Sequence, residues 1–196
     1  MEKVSLGLRA KTGRAVAVVV AGPAASPRVL ARTELLTADP SDPAIYNPYH
    51  EVMDLPWAQA KVAVRGALEK SESIAAKSLS TFLQELRVEN RRVVCAGIVG
   101  AGDRNLEKMG GAHIRAHAAE GVWFRQALEL AAKACKLKSR SYDERRLNEI
   151  ASSELALPVE TLGARVAELG QSVGRPWRAD EKAAMIAAWL ALLASA

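Results

Sequence analysis

Cysteine, histidine and aromatic residues are all scarce in this 196-residue chain, and each scarcity closes off a class of protein. Two cysteines, Cys95 and Cys135, cannot build a disulfide framework or a four-thiolate zinc site. Both sit in apolar runs and read as buried, reduced thiols of a cytoplasmic protein. Aromatic residues make up 5% of the chain, which leaves no extended platform for stacking single-stranded bases. No stretch approaches the ~18 uncharged apolar residues of a membrane span. Met1-Glu2-Lys3 leads straight into a strand-like pattern, so no secretory signal is expected either. A phosphate-binding P-loop is excluded, because no Gly-Lys-Ser/Thr occurs after a suitably placed glycine.

What is present describes a globular chain. Hydrophobic residues are 49% and charged ones 25%, which excludes disorder and collagen-like architecture. The length suits one domain over residues 1–196. The net charge is +5, and it is unevenly spread. Residues 1–32 carry Lys3, Arg9, Lys11, Arg14, Arg28 and Arg32 against the single acid Glu2. A second cluster runs from Lys133 to Arg146, relieved by Asp143 and Glu144. Concentrated positive charge attracts phosphates and other anions.

The first 37 residues read as three short strands. Val4 to Leu8 alternates, Arg14 to Ala21 is a β-branched run suited to burial on both faces, and Arg28 to Thr37 is the third. Arg9 to Gly13 is a hairpin turn, with Gly13 free to take positive φ. Prolines 40, 43, 48 and 56 punctuate residues 38–56, predicting a loop without regular structure in which Tyr46 and Tyr49 serve as pins. A long amphipathic helix is predicted from Trp57 to Arg87, then an apolar central strand, Val93–Val99. A helix over 112–134, a short strand over 136–141 and helices over 143–153 and 158–173 follow. A last helix begins near Asp180, with Trp177 and Trp189 sealing it against the body. The fold class is α/β: three antiparallel strands followed by a parallel βαβ unit, flanked by helices.

That order, with the turn Gly7-Leu8-Arg9-Ala10-Lys11-Thr12-Gly13-Arg14 and the acidic helix start Ala179-Asp180-Glu181, resembles the ribonuclease-H-like superfamily. Within it, the pattern is similar to the RuvC-type Holliday-junction resolvases. The resemblance implies carboxylates on the first strand, on the fourth strand and on the last helix, holding divalent metal for a two-metal attack on a phosphodiester. Here the first-strand place falls to Arg9, the fourth strand offers Gly97 or Ile98, and Ala183 or Ala184 replaces the second helix acid. Asp180 and Glu181 alone remain. A guanidinium in place of the central carboxylate reverses the field that a magnesium ion requires, so the family's nuclease chemistry is expected to be absent.

Two other constellations bear chemistry. Arg9, Lys11, Thr12 and Arg14 on the turn suit a phosphate, with a solvated basic hairpin as the plainer reading. The equivalent turn of the actin and sugar-kinase superfamily cradles ATP, but 196 residues hold one such lobe and not two. His113, His117 and Glu120 share one helix face at i, i+4 and i+7, a candidate catalytic or metal-binding set for zinc and its neighbours, against a structural role. His50, Asp103, Asp180 and Glu181 would join them if the helix starts and the carboxyl end of the central strand share a crevice. Gly97 to Gly102 matches a dinucleotide loop only in part.

Three functions are therefore carried forward. The first is a catalytically degenerate ribonuclease-H-like domain that binds nucleic acid or another phosphorylated ligand through its basic hairpin. The second is a metal-dependent phosphoester hydrolase that uses the histidine face with Asp180 and Glu181. The third is a scaffold whose helices bind another protein.

Overall fold

A computed structural model describes residues 1–195. Five strands, β1 (Glu2–Lys11), β2 (Arg14–Ala21), β3 (Arg28–Leu36), β4 (Arg91–Gly100) and β5 (Ser139–Asp143), form one mixed sheet in the order β3-β2-β1-β4-β5. β1 and β2 pair antiparallel, as do β2 and β3, whereas β4 runs parallel to both β1 and β5. This is the α/β arrangement expected from the sequence. The helices are α1 (Pro43–Tyr46), α2 (Trp57–Ala63), α3 (Arg65–Val88), α4 (Ala112–Ala134), α5 (Leu147–Glu154), α6 (Val159–Leu169) and α7 (Ala179–Ala194).

Alternation along β1 sorts its side chains between two cores. Leu6 and Leu8 join Leu79, Phe82, Phe124 and Leu128 beneath α3 and α4. On the other face Val18, Val20 and Val99 pack with Met185, Trp189 and Leu190 of α7. β2 is buried from Ala15 to Ala21, as its β-branched run requires. Trp189 donates through Nε1 to the Ala24 carbonyl at 2.7 Å, and Trp177 to the Val166 carbonyl at 2.9 Å, so both indoles tie the last helix and its approach to the body. No helix among the described residues is long and apolar enough to cross a membrane.

α7 approaches the sheet unusually closely. Gly7 and Gly97 are register partners on β1 and β4. A Cβ on Gly7 would overlap the Ala184 carbonyl oxygen, and one on Gly97 that of Ala187. Between these strands and the helix, backbone meets backbone. Ser5 completes the seam by donating its hydroxyl to the Ala188 carbonyl at 2.7 Å.

Several boundaries differ from the sequence reading, each for a local reason. The long helix parts at Val64, two residues before Gly66, since glycine weakens a helix by about 1 kcal/mol relative to alanine. The proline-rich loop contains one helical turn after all. Asp42 caps it by accepting from Ala44 N at 3.0 Å, and Pro43 sits at the first position, where a missing N–H costs nothing. β5 starts three residues late because Lys136, at φ 55, terminates α4 and Leu137 N returns to the Ala132 carbonyl. α5 is delayed to Leu147 by a turn in which Asp143 accepts from Arg145 N at 3.0 Å. α6 ends at Leu169 and passes into a 3₁₀ turn, Gly170–Val173. Both cysteines are half-buried rather than fully buried, and burial raises each thiol above its usual pKa.

On β5, burial pushes the Tyr142 phenol up to about 12. The folded chain then keeps a proton that the unfolded chain releases near pH 10. Stability from this group should be complete below about pH 10 and decline as pH rises towards about 12. Tyrosinate absorbance during an alkaline titration checks it, with Tyr142 ionising last.

Candidate functional site

The turn between β1 and β2 is only Thr12-Gly13, and Gly13 takes φ 70, which a glycine adopts without strain, against the ring of Tyr46. The expected turn residues Arg9 and Lys11 therefore lie on the strand, and alternation sends Arg9 to the α7 side. Its guanidinium is mostly buried, at 14% exposure, between two acids. It pairs with Glu144, just past β5, and its Nε lies 3.4 Å from Asp180 Oδ1. Lys11 Nζ reaches Asp180 Oδ2 at 3.4 Å, Arg14 Nε reaches Glu34 Oε1 at 3.2 Å, and Thr12 is exposed at the tip.

Asp180, at the start of α7, thus lies beside the first strand with its charge engaged by Arg9 and Lys11. Glu181 has another task. It is buried, and its Oε2 accepts from Arg178 N at 2.7 Å, satisfying a backbone donor at the start of α7. At the end of β4 the partner of Arg9 is Val99. Glu144 was missed in the sequence because it reads there as one acid relieving a basic run.

The histidines gather on the opposite face of the sheet. Gly121 of α4 packs near Ala101, just after β4, so His117 and His113 stand one and two turns further out, beyond the strand's carboxyl end. The loop after β3 folds across to meet them, pinned by Tyr46 on Gly13 and by Tyr49 stacked on Trp57 at 5.4 Å. That brings His50 within 4.3 Å of His117 and 5.2 Å of His113, centroid to centroid, while His113 and His117 are 4.5 Å apart. Candidate ligand atoms of all three lie within 4.8 Å of one another.

Glu120 lies beneath this cluster, not in it. It is 2% exposed, and its Oε1 accepts from Tyr49 N at 3.1 Å, His50 N at 3.2 Å and His50 Nδ1 at 2.9 Å. The Tyr49 phenol is held above its usual pKa by burial and by the Glu120 charge. Trp57 borders the cluster under two cations, with the Arg115 guanidinium 5.5 Å and Lys61 Nζ 5.9 Å from its ring centre. Asp103 does not join; it pairs with the buried Arg125, which also holds Glu129 and donates to the Ala101 carbonyl at 2.8 Å. Asp180 and Glu181 likewise stay on the α7 face. The structure therefore unites His50 with His113, His117 and Glu120, and separates them from the acids of the last helix.

No protein-family model and no curated protein matches the chain. Solved structures do. The chain is similar to a structure of RuvC from Thermus thermophilus, with a TM-score of 0.55 and 12% identity over 98% of this chain and 95% of that one. It is similar also to T. thermophilus RuvC in complex with a Holliday junction substrate, with a TM-score of 0.53 and 11% identity over 98% and 94%. The fold is ribonuclease-H-like, of the RuvC kind.

Proposed function

We propose that this chain is a ribonuclease-H-like domain that binds the phosphodiester backbone of nucleic acid and does not cleave it by the two-metal route. The observation that carries the reading is Arg9 seated between Glu144 and Asp180, a fixed positive charge at the place where relatives would grip a metal. The guanidinium fills the space between the two carboxylates and gives them a partner that no metal need supply. The +5 charge, concentrated in the first 32 residues, supports a polyanionic partner, as does the RuvC-like fold.

The ion pairs define how binding would work. A phosphate arriving at the hairpin exchanges with Asp180 for Lys11 and Arg9, so the acids tune affinity downward. Asp180→Asn should therefore tighten binding of a labelled duplex or four-way junction, while Lys11→Ala should weaken it and reduce the slope of log affinity against log salt by about 1. Fluorescence anisotropy across a salt series measures both. Salt-independent or undetectable binding overturns the proposal. So does Mg²⁺-dependent cleavage of the junction that Asp180→Asn abolishes. The second reading, phosphoester hydrolysis at a metal on the histidine face, keeps only His50, His113, His117 and Glu120, since Asp180 and Glu181 lie across the sheet.

A further inference from the structure

Nothing in the nucleic-acid reading uses the three histidines. We propose that His50, His113 and His117 form a binding site for a divalent transition metal of the zinc class, with Glu120 as the positioning residue for His50. The argument begins with the tautomer. Glu120 accepts from His50 Nδ1 at 2.9 Å, and in the neutral ring this puts the proton on Nδ1 and leaves Nε2 with a bare lone pair. His50 Nε2 is buried and has no hydrogen-bond partner. An orphaned acceptor is costly in a merely structural histidine and is what a metal ligand must offer. A carboxylate behind a histidine also fixes the orientation of its ring.

The other two ligands suit the same end. His113 and His117 are one helical turn apart and exposed, so neither is spent on packing. Zinc–nitrogen bonds of about 2.0–2.1 Å bring tetrahedral ligands to roughly 3.3 Å of one another. The present spread, up to 4.8 Å, closes by rotation of these two exposed rings about the rigid His50. Three neutral imidazoles select zinc, cobalt, nickel or copper; Mg²⁺ and Ca²⁺ require oxygen donors. Three protein ligands leave a fourth position open on the solvent side for water or an anionic oxygen, with the Arg115 and Lys61 cations around Trp57 nearby.

The site is on the opposite face from Arg9, so its test is independent of the proposed function. The full chain, stripped with a chelator, is titrated with Zn²⁺ against a chromophoric competitor and with Co²⁺ monitored by visible absorption. One equivalent should bind, Co²⁺ should give the intense bands of four-coordinate geometry, and millimolar Mg²⁺ should not compete. His113→Ala and His117→Ala, both exposed, should leave the melting temperature of the metal-free protein unchanged while each lowers zinc affinity by more than about 100-fold. Glu120→Gln, which removes the charge behind His50, should lower it by roughly 10–100-fold. Overturning results are an absence of stoichiometric binding, or binding lost in the helix variants yet indifferent to both Glu120→Gln and His50→Ala. The latter would mean a two-histidine surface chelate without His50.

Discussion

Gly7→Val should be severely destabilised. The added side chain meets three backbone atoms of α7, the carbonyl carbon and oxygen of Ala184 and the nitrogen of Ala188. No rotamer change relieves a clash with a helix backbone. The helix must lift off the sheet, which opens the core around Met185, Trp189 and Leu190. We expect a loss of more than about 4 kcal/mol, a large part of the 5–15 kcal/mol that holds a typical domain together. Gly97→Val should behave similarly through Ala187. Gly66→Ala is the control: nothing lies within 4 Å of its would-be Cβ, it is helical, and it should stabilise by about 0.4–1 kcal/mol. Urea unfolding followed by circular dichroism reads all three. A Gly7→Val protein with wild-type stability would show that the helix does not lie on bare backbone.

Glu120→Ala has the next largest expected effect. One carboxylate oxygen receives three donors, two from the backbone and one from the His50 ring, in a place where water has little access. Hydrogen bonds to an ionised acceptor are the strong ones, and removing the acceptor strands every donor. A loss of about 3 kcal/mol or more is expected, because each buried donor left without a partner costs about 1–3 kcal/mol. The damage should be local in the first instance. Residues 38–56 are tied down at Tyr49 and His50, so limited proteolysis should cut this segment in Glu120→Ala long before the sheet unfolds. Glu120→Gln keeps a carbonyl acceptor and should resist cleavage far better. Equal proteolysis of wild type and Glu120→Ala would contradict the tethering role.

The elements that the sequence declared were those whose signals are local. Gly13 announced the hairpin, the β-branched run of β2 its two-sided burial, and α4 its full span from Ala112 to Ala134. The neighbourhood of Arg9 and Asp180 was expected from the resemblance, which sets the first strand beside the last helix. Other contacts between distant segments were open. His50 was offered as a neighbour of His113 only on condition of a shared crevice, and its meeting with α4 depends on how Tyr46 and Tyr49 fold the loop. Glu120 showed as the third member of a helix face, but spacing cannot say that the loop backbone would cover it. Glu181 looked like a surviving site acid, although its place three residues after Arg178 fits a cap. Gly97 registered as the absence of a carboxylate; that it makes room for α7 is a fact of packing.

The bare seam beneath the last helix also bears on how this protein can drift over generations. With main chain resting on main chain at Gly7 and Gly97, the helix has no side-chain cushion through which mutations could nudge it. The helix is buried from Ala184 to Leu192, so the lateral position of Asp180 beside Arg9 stays pinned. Lineages carrying this architecture would therefore change the charge at that spot by swapping single residues in place, with the scaffold itself held still.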